Sequence, residues 1–304
     1  MSEIRFMAAD HVISVRSESE AVLRYFRWKT ALLAADGIPA DIRVCILIED
    51  QPEGEQYVLL NDADDTNRLH TVLWKNTETG EYCISIPEKS LDRMIEKSSM
   101  LANQFANILA EHDVLLLHSC GLAFRDKGIL IAGYPGMGKS TLAVSWLQRG
   151  AGYLSDDTVW LHKGIMYPVE STVHPEKEKP GKPLEGGKYF ERDLNTDHKH
   201  HLDLTGLEEQ YVKKVPVSAL VGLRRENILE PTVQKTSPME YIYRALRSSV
   251  RVLHTGSPYL QQFRKETAYL YKLPAYLFVL GTDTDKNAEM LEKLAKGEFH
   301  VSFE

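Results

Sequence analysis

Residues 129–140 read Ile129-Leu130-Ile131-Ala132-Gly133-Tyr134-Pro135-Gly136-Met137-Gly138-Lys139-Ser140, and this run decides the fold class. Its first four residues are apolar and predict a strand from the middle of a sheet. From Gly133 to Ser140 the spacing G-x-x-x-x-G-K-[ST] is met in full. Residues 140–149 then carry a helical pattern that stops at Gly150. Strand, glycine-rich loop and helix N-terminus, in that order, make a cradle for a polyphosphate. Glycines at 133, 136 and 138 let backbone N–H groups turn inward with no side chain in the way. The helix N-terminus adds unpaired N–H groups and a partial positive charge. Lys139 is expected on the β- and γ-phosphates and the Ser140 hydroxyl on a magnesium ion. The expected nucleotide-binding set is Gly133, Tyr134, Pro135, Gly136, Met137, Gly138, Lys139, Ser140 and Thr141, with ATP and Mg2+ as cofactors.

Downstream, Gly150-Ala151-Gly152-Tyr153-Leu154-Ser155-Asp156-Asp157 predicts a helix end, a short strand and two carboxylates where that strand stops. Phosphate loops and strand C-termini share one edge of a parallel sheet, which would bring Asp156 and Asp157 to the γ-phosphate. Two adjacent carboxylates can divide the work of phosphoryl transfer: one ligates the metal, the other orients a hydroxyl and takes its proton. Successive strand side chains point to opposite faces, so both can serve one site only where the strand ends and twists. Upstream, His118 lies among Leu115-Leu116-Leu117 and Ser119-Cys120-Gly121, on what reads as a strand running from 114 to 124. A lone histidine beside leucines is ordinarily a core residue.

Working outward, the chain has 304 residues, 43% of them hydrophobic, enough for a sizeable core. A formal net charge of -7 argues against a general binder of nucleic acid or of anionic membrane. Cys45, Cys83 and Cys120 are far apart, which predicts reduced, mostly buried thiols rather than a zinc site or a disulfide framework. The N-terminus has no secretory pattern and no apolar run is long enough to span a bilayer, so the expected place is the cytoplasm. Before the phosphate loop the pattern is mixed α/β. It predicts a helix over 20–35, strands over 42–48 and 57–60, a hairpin of 69–74 with 82–86, and a long helix over 90–110. A lobe boundary is drawn near Glu111 to Asp113, giving an accessory α/β lobe over 1–112 and a catalytic domain over 113–304.

Residues 172–201 include HPEKEKPGKPLEGGK, with three prolines and three glycines, and predict a long mobile loop. His174, His198, His200 and His201 are expected to be solvated there. Lys177, Lys179, Lys182 and Lys188 could either face solvent or close over an acceptor. Arg224 and Arg225 read as a surface pair, although one could neutralise a phosphate. Further strands are expected over 220–223 and 275–280, with helices opening at Pro238 and Pro258 and a last one over 285–296.

From His118 to Val159 the chain resembles the catalytic domain of HPr kinase/phosphorylase: a histidine, a strand, the loop 133–140, a helix ending in Arg149-Gly150, and Asp156-Asp157. The resemblance implies a P-loop kinase domain of the HPr kinase/phosphoenolpyruvate carboxykinase type with a smaller N-terminal α/β lobe. It also implies Asp156 as catalytic base, Asp157 supporting metal and geometry, and His118 assisting the pair. The later E-I-R-G-x-G signature of HPr kinases is absent; Leu184-Glu185-Gly186-Gly187-Lys188 stands in its place, which argues against HPr as substrate. A looser resemblance links the C-terminal layout to kinases that phosphorylate the C-terminal serine of lasso-peptide precursors. That layout is a strand at 219–223, Ser237-Pro238-Met239-Glu240, and Leu273-Pro274-Ala275-Tyr276. The expectation is an ATP-dependent kinase acting on a seryl hydroxyl, with a peptide, a protein or a small molecule as acceptor. The alternative is a nucleotide sensor without chemistry; a phosphoenolpyruvate carboxykinase would be much longer. HPr kinases are oligomers, so a homo-oligomer is compatible, but no residue carries that property over.

Overall fold

The computed structural model describes residues 1–61, 71–91, 99–174, 188–189, 200–249 and 258–298. The chain opens with a hairpin of β1 (Ser2–Ala8) and β2 (His11–Ser17), closed at Ala8 and His11. Helix α1 (Glu20–Lys29) follows, and the Ser19 side chain caps it by accepting from the Val22 N–H. The sequence pattern extends this helix to 35, but it stops at Lys29 and a short 3-10 turn, Ala31–Leu33, replaces its end. The Leu32 N–H goes to Ser171 Oγ at 2.9 Å, so a distant segment claims the donor that would have continued the helix. Strands β3 (Ile42–Ile48), β4 (Tyr57–Asn61), β5 (Val72–Asn76) and β6 (Tyr82–Ile86) complete a six-stranded sheet in the order β1-β2-β3-β6-β5-β4. At the β5–β6 turn the Asn76 side chain accepts from the N–H groups of Glu78 and Thr79, and Gly80 takes φ +71.

Helix α2 (Ser99–Ala110) leads to β7 (Leu115–Leu117), β8 (Cys120–Phe124) and β9 (Lys127–Ala132). The expected single strand over 114–124 is therefore two strands with a bend at His118 and Ser119. β7 pairs with a different part of the sheet from β8, and the chain must turn between them. After the glycine loop come α3 (Lys139–Gln148), β10 (Gly152–Ser155), β11 (Val159–His162) and β12 (Ile165–Pro168). The segment read as a long loop begins and ends in order. β13 (Thr172–Val173), β14 (Lys188–Tyr189) and β15 (Leu202–Asp203) form a small antiparallel sheet, with 175–187 and 190–199 outside the described residues. The last elements are β16 (Val215–Arg225), β17 (Thr232–Thr236), α4 (Pro238–Ser249), α5 (Pro258–Leu270), β18 (Ala275–Leu280) and α6 (Thr284–Lys296).

The second sheet runs β10-β8-β9-β16-β12-β11-β7, with β18 beside β16 and β17 beyond it. Its directions position the site. β16 is parallel to β9 and β18 is parallel to β16. β10 and β9 each lie antiparallel to β8, so β10 runs with β9. The C-terminal ends of β10, β9, β16 and β18 and the start of β8 therefore share one edge. Apolar residues of both sheets form one continuous core, in which the Phe105 ring of α2 lies tilted against Phe26 and Phe6, with centroids 5.6 and 6.3 Å away. Trp146 is fully buried on α3, and its indole N–H reaches the Gly152 carbonyl at 3.0 Å, tying that helix to the base of β10. Among the described residues no helix is long and apolar enough to cross a membrane.

Candidate active site

Each element ending at that edge delivers a group. β9 runs into Gly133, and the loop turns on Gly136 at φ +80 and Gly138 at φ +98, values that a side chain would strain. Gly138 is the N-cap of α3, where a Cβ would stand 3.1 Å from Leu280 Cδ1. Tyr134 closes the turn by accepting the Met137 N–H at 3.1 Å, while Pro135 and Gly136 face solvent. Ser140 and Thr141, in the first turn of α3, are partly exposed. Lys139 is 7% exposed; its Nζ donates to the Gly133 carbonyl at 2.8 Å and lies 3.5 Å from His118 Nε2. His118 reaches that position because it occupies the bend between β7 and β8, and its Nε2 is 3.6 Å from Asp157 Oδ1. Lys139, His118 and Asp157 thus converge.

The two aspartates part company. Asp157 has 39% of its side chain exposed and faces His118. Asp156 is completely buried. Its Oδ1 accepts from the Tyr153 hydroxyl at 3.1 Å and lies 3.1 Å from His174 Nδ1, and its Oδ2 accepts from the His174 N–H at 3.3 Å. Ser155 Oγ accepts from the N–H groups of Asp157 and Thr158, so the strand ends in a turn and neighbouring side chains diverge. Burial holds the Tyr153 phenol well above its usual pKa, so it remains a donor to Asp156.

Behind Asp156 lies a charged cluster. His174 Nε2 is 3.3 Å from Glu170 Oε1, and Lys29 Nζ is 2.8 Å from Glu170 Oε2, with both side chains of that ion pair nearly or wholly buried. Desolvation lowers the Lys29 pKa, and the Glu170 carboxylate opposes that shift. His174 and His201 are both buried, their rings 4.8 Å apart edge to face, which overturns their reading as solvated loop histidines. His198 lies outside the described residues, as do Lys177, Lys179 and Lys182. Lys29 had one legible signal. Val22, Phe26 and Lys29 recur at helical spacing on the apolar face of α1, and a charge on such a face calls for a buried partner. Nothing local marks Glu170 or His174.

On the other side of the loop lies a cavity of about 230 Å³, lined among others by Met137, Gly138, Thr141, Arg225, Thr282 and Asn287. The Asn287 amide holds its floor by bonding both the N–H and the carbonyl of Gly281, at 2.8 and 3.0 Å. Arg224 and Arg225 are both exposed, as expected; Arg224 pairs with Glu226 at 2.8 Å and Arg225 lines the cavity. The three cysteines are buried and unbridged, and burial raises the Cys120 thiol well above its usual pKa. Among the described residues no group of three or more His, Cys, Asp or Glu is placed to hold a metal.

No family model matches the chain. Over 108 residues it is 38% identical to the HPr kinase/phosphorylase of Nitrosomonas europaea, a stretch covering 36% of this chain and 32% of that protein. Among solved structures, the HPr(Ser) kinase/phosphatase of Coxiella burnetii matches over 60% of this chain and 95% of that one, at 14% identity and a TM-score of 0.32. That superposition is loose, so the sequence relation carries the comparison. In the segment the two sequences share, this chain is HPr kinase-like.

Proposed function

We propose that this chain is an ATP- and Mg2+-dependent kinase, on a fold of the HPr kinase/phosphoenolpyruvate carboxykinase type, that phosphorylates a seryl hydroxyl of a peptide or protein. The observation that carries the reading is the convergence at the loop: His118 Nε2 stands 3.5 Å from Lys139 Nζ and 3.6 Å from Asp157 Oδ1. A cation, an imidazole and a half-exposed carboxylate beside a helix N-terminus are what a transferred phosphoryl group needs around it.

The residues fit the nucleotide and the metal. The positive-φ glycines leave the loop's N–H groups unshielded, and the cavity beside Thr141 and Arg225 has room for a nucleoside end. Ser140 and Asp157 are oxygen ligands suited to a hard cation that keeps most of its ligands as water and phosphate. Bound ATP-Mg2+ would supply the electrophilic phosphoryl group and neutralise part of its charge. Lys139 would hold the β- and γ-phosphates. His118 would orient Asp157, and Asp156 would take the acceptor's proton. Asp156 is held by the Tyr153 hydroxyl and by His174. Its complete burial also means that a hydroxyl meets it only after groups around it shift.

That burial favours the second reading, a nucleotide sensor, and mass spectrometry separates the two. The chain is mixed with ATP-Mg2+ and synthetic peptides carrying a C-terminal or an internal serine. A mass gain of one phosphate on a peptide is expected; preference for the C-terminal serine would support a lasso-precursor-like acceptor. Asp156→Asn should lower transfer by about a hundredfold or more, the scale of a lost general base, while ATP affinity stays within about twofold. Lys139→Ala should weaken affinity and transfer together. Tight ATP binding with no phosphorylated peptide would leave the sensor standing.

A further inference from the structure

Lys29 ends α1, which packs on β1 and β2, yet its ammonium is held by side chains of residues 170–174. It is wholly buried, and three polar atoms surround Nζ: Glu170 Oε2 at 2.8 Å, Thr172 Oγ1 at 3.0 Å and His174 Nε2 at 3.0 Å. An ammonium has three hydrogens and no acceptor. Serving all three partners makes His174 Nε2 an acceptor, which places the ring's hydrogen on Nδ1. Nδ1 is the atom 3.1 Å from Asp156 Oδ1. The Tyr153 hydroxyl completes the frame, lying 3.1 Å from that same oxygen and 2.9 Å from the Thr172 carbonyl.

The backbone joins the same two segments. The Ser171 N–H donates to the Lys29 carbonyl at 2.5 Å, and the Leu32 N–H donates to Ser171 Oγ at 2.9 Å. The strap Glu170–His174 that carries Asp156's partners is therefore fastened to the end of α1. Glu170 Oε1 lies 3.3 Å from His174 Nε2, so a second arrangement is within reach. Without the Lys29 ammonium, His174 could turn an Nε2 hydrogen to Glu170, and its hold on Asp156 would change.

We propose that Lys29 is a positioning residue for phosphoryl transfer: it selects the Nδ1–H form of His174 and thereby orients the Asp156 carboxylate, making the N-terminal unit an integral part of the site. This rests on the kinase reading for its consequence in rate, and on geometry alone for its consequence in His174.

The test uses the full chain with 15N-labelled histidine, the His174 signals being identified by their loss in His174→Gln. The parent should show His174 protonated on Nδ1 and bare on Nε2. Lys29→Met should move the hydrogen to Nε2 or give an imidazolium. It should also cut kcat for peptide phosphorylation about 10- to 100-fold, the scale for a misplaced catalytic group, with unchanged affinity for a fluorescent ATP analogue. Lys29→Met with Glu170→Gln removes the ion pair as a unit and decides the matter if the single variant does not fold. A folded variant that keeps both the Nδ1–H form and the parent's kcat overturns the proposal, as does one that loses the tautomer and keeps the rate. If the parent phosphorylates nothing, the kinase reading falls, while the nitrogen signals still judge what Lys29 does to His174.

Discussion

Asp156 and Asp157 are neighbours in the chain and strangers in space. One carboxylate has no exposed surface and at least two side-chain partners; the other opens towards His118 and solvent. Their chemistry should differ accordingly. Asp157→Asn should raise the Mg2+ concentration needed for half-maximal transfer, measured by metal titration, whereas Asp156→Asn should leave that requirement alone and lower the rate. The buried ion pair makes a separate prediction about stability. Glu170→Ala strands the Lys29 ammonium in the interior and should cost about 3–5 kcal/mol in urea unfolding, the usual penalty for breaking a buried pair from one side. Replacing both members with neutral side chains of similar size should cost much less.

At the scale of elements, the backbone of the glycine loop leaves the conformations open to other residues. Gly138 at φ +98 would be strained by any Cβ, and Leu280 Cδ1 at 3.1 Å would have to move as well. Gly138→Ala should therefore destabilise the fold by about 1–2 kcal/mol and weaken ATP binding, as seen in thermal melts with and without nucleotide. Gly136→Ala meets nothing within 4 Å at φ +80 and should show the backbone cost without the packing cost. The loop was fully legible in the sequence, since its spacing encodes local backbone geometry. The bend at His118 was not. Residues 114–124 read as one strand, and the pairing of β7 with β11 and of β8 with β9 breaks it in two.

For the whole molecule, the question is what binds the N-terminal sheet to the second one. Besides the shared core and the Lys29 strap, Tyr167 donates to Asp10 Oδ2 at 2.6 Å across the two units. That hydrogen bond, followed by the Lys214 charge, lowers the Asp10 pKa. A carboxyl with a lowered folded-state pKa adds stability that is complete above its unfolded value, about 3.9 for aspartate, and is lost as pH falls through the folded value. Melting temperatures of the parent and Asp10→Asn should differ at neutral pH and approach each other as the pH drops below that of an ordinary aspartate. A difference that persists there would mean that the charge of Asp10 has no part in joining the units. The helices outside the site were readable to within a few residues where caps are local. Ser237, whose Oγ accepts the Met239 N–H at 3.2 Å, opens α4, and Asp283 and Gly297 bracket α6.

The sequence alone determined what depends on neighbours along the chain: the glycine loop and its helix, the central strands, the paired carboxylates, and the kinship they announce. Tertiary structure decided which carboxylate is buried, where His118 points, and that Lys29 reaches across 143 residues of chain to Thr172. Burial and charge pairing are set by side chains brought together from distant segments, and no local pattern records how those segments meet.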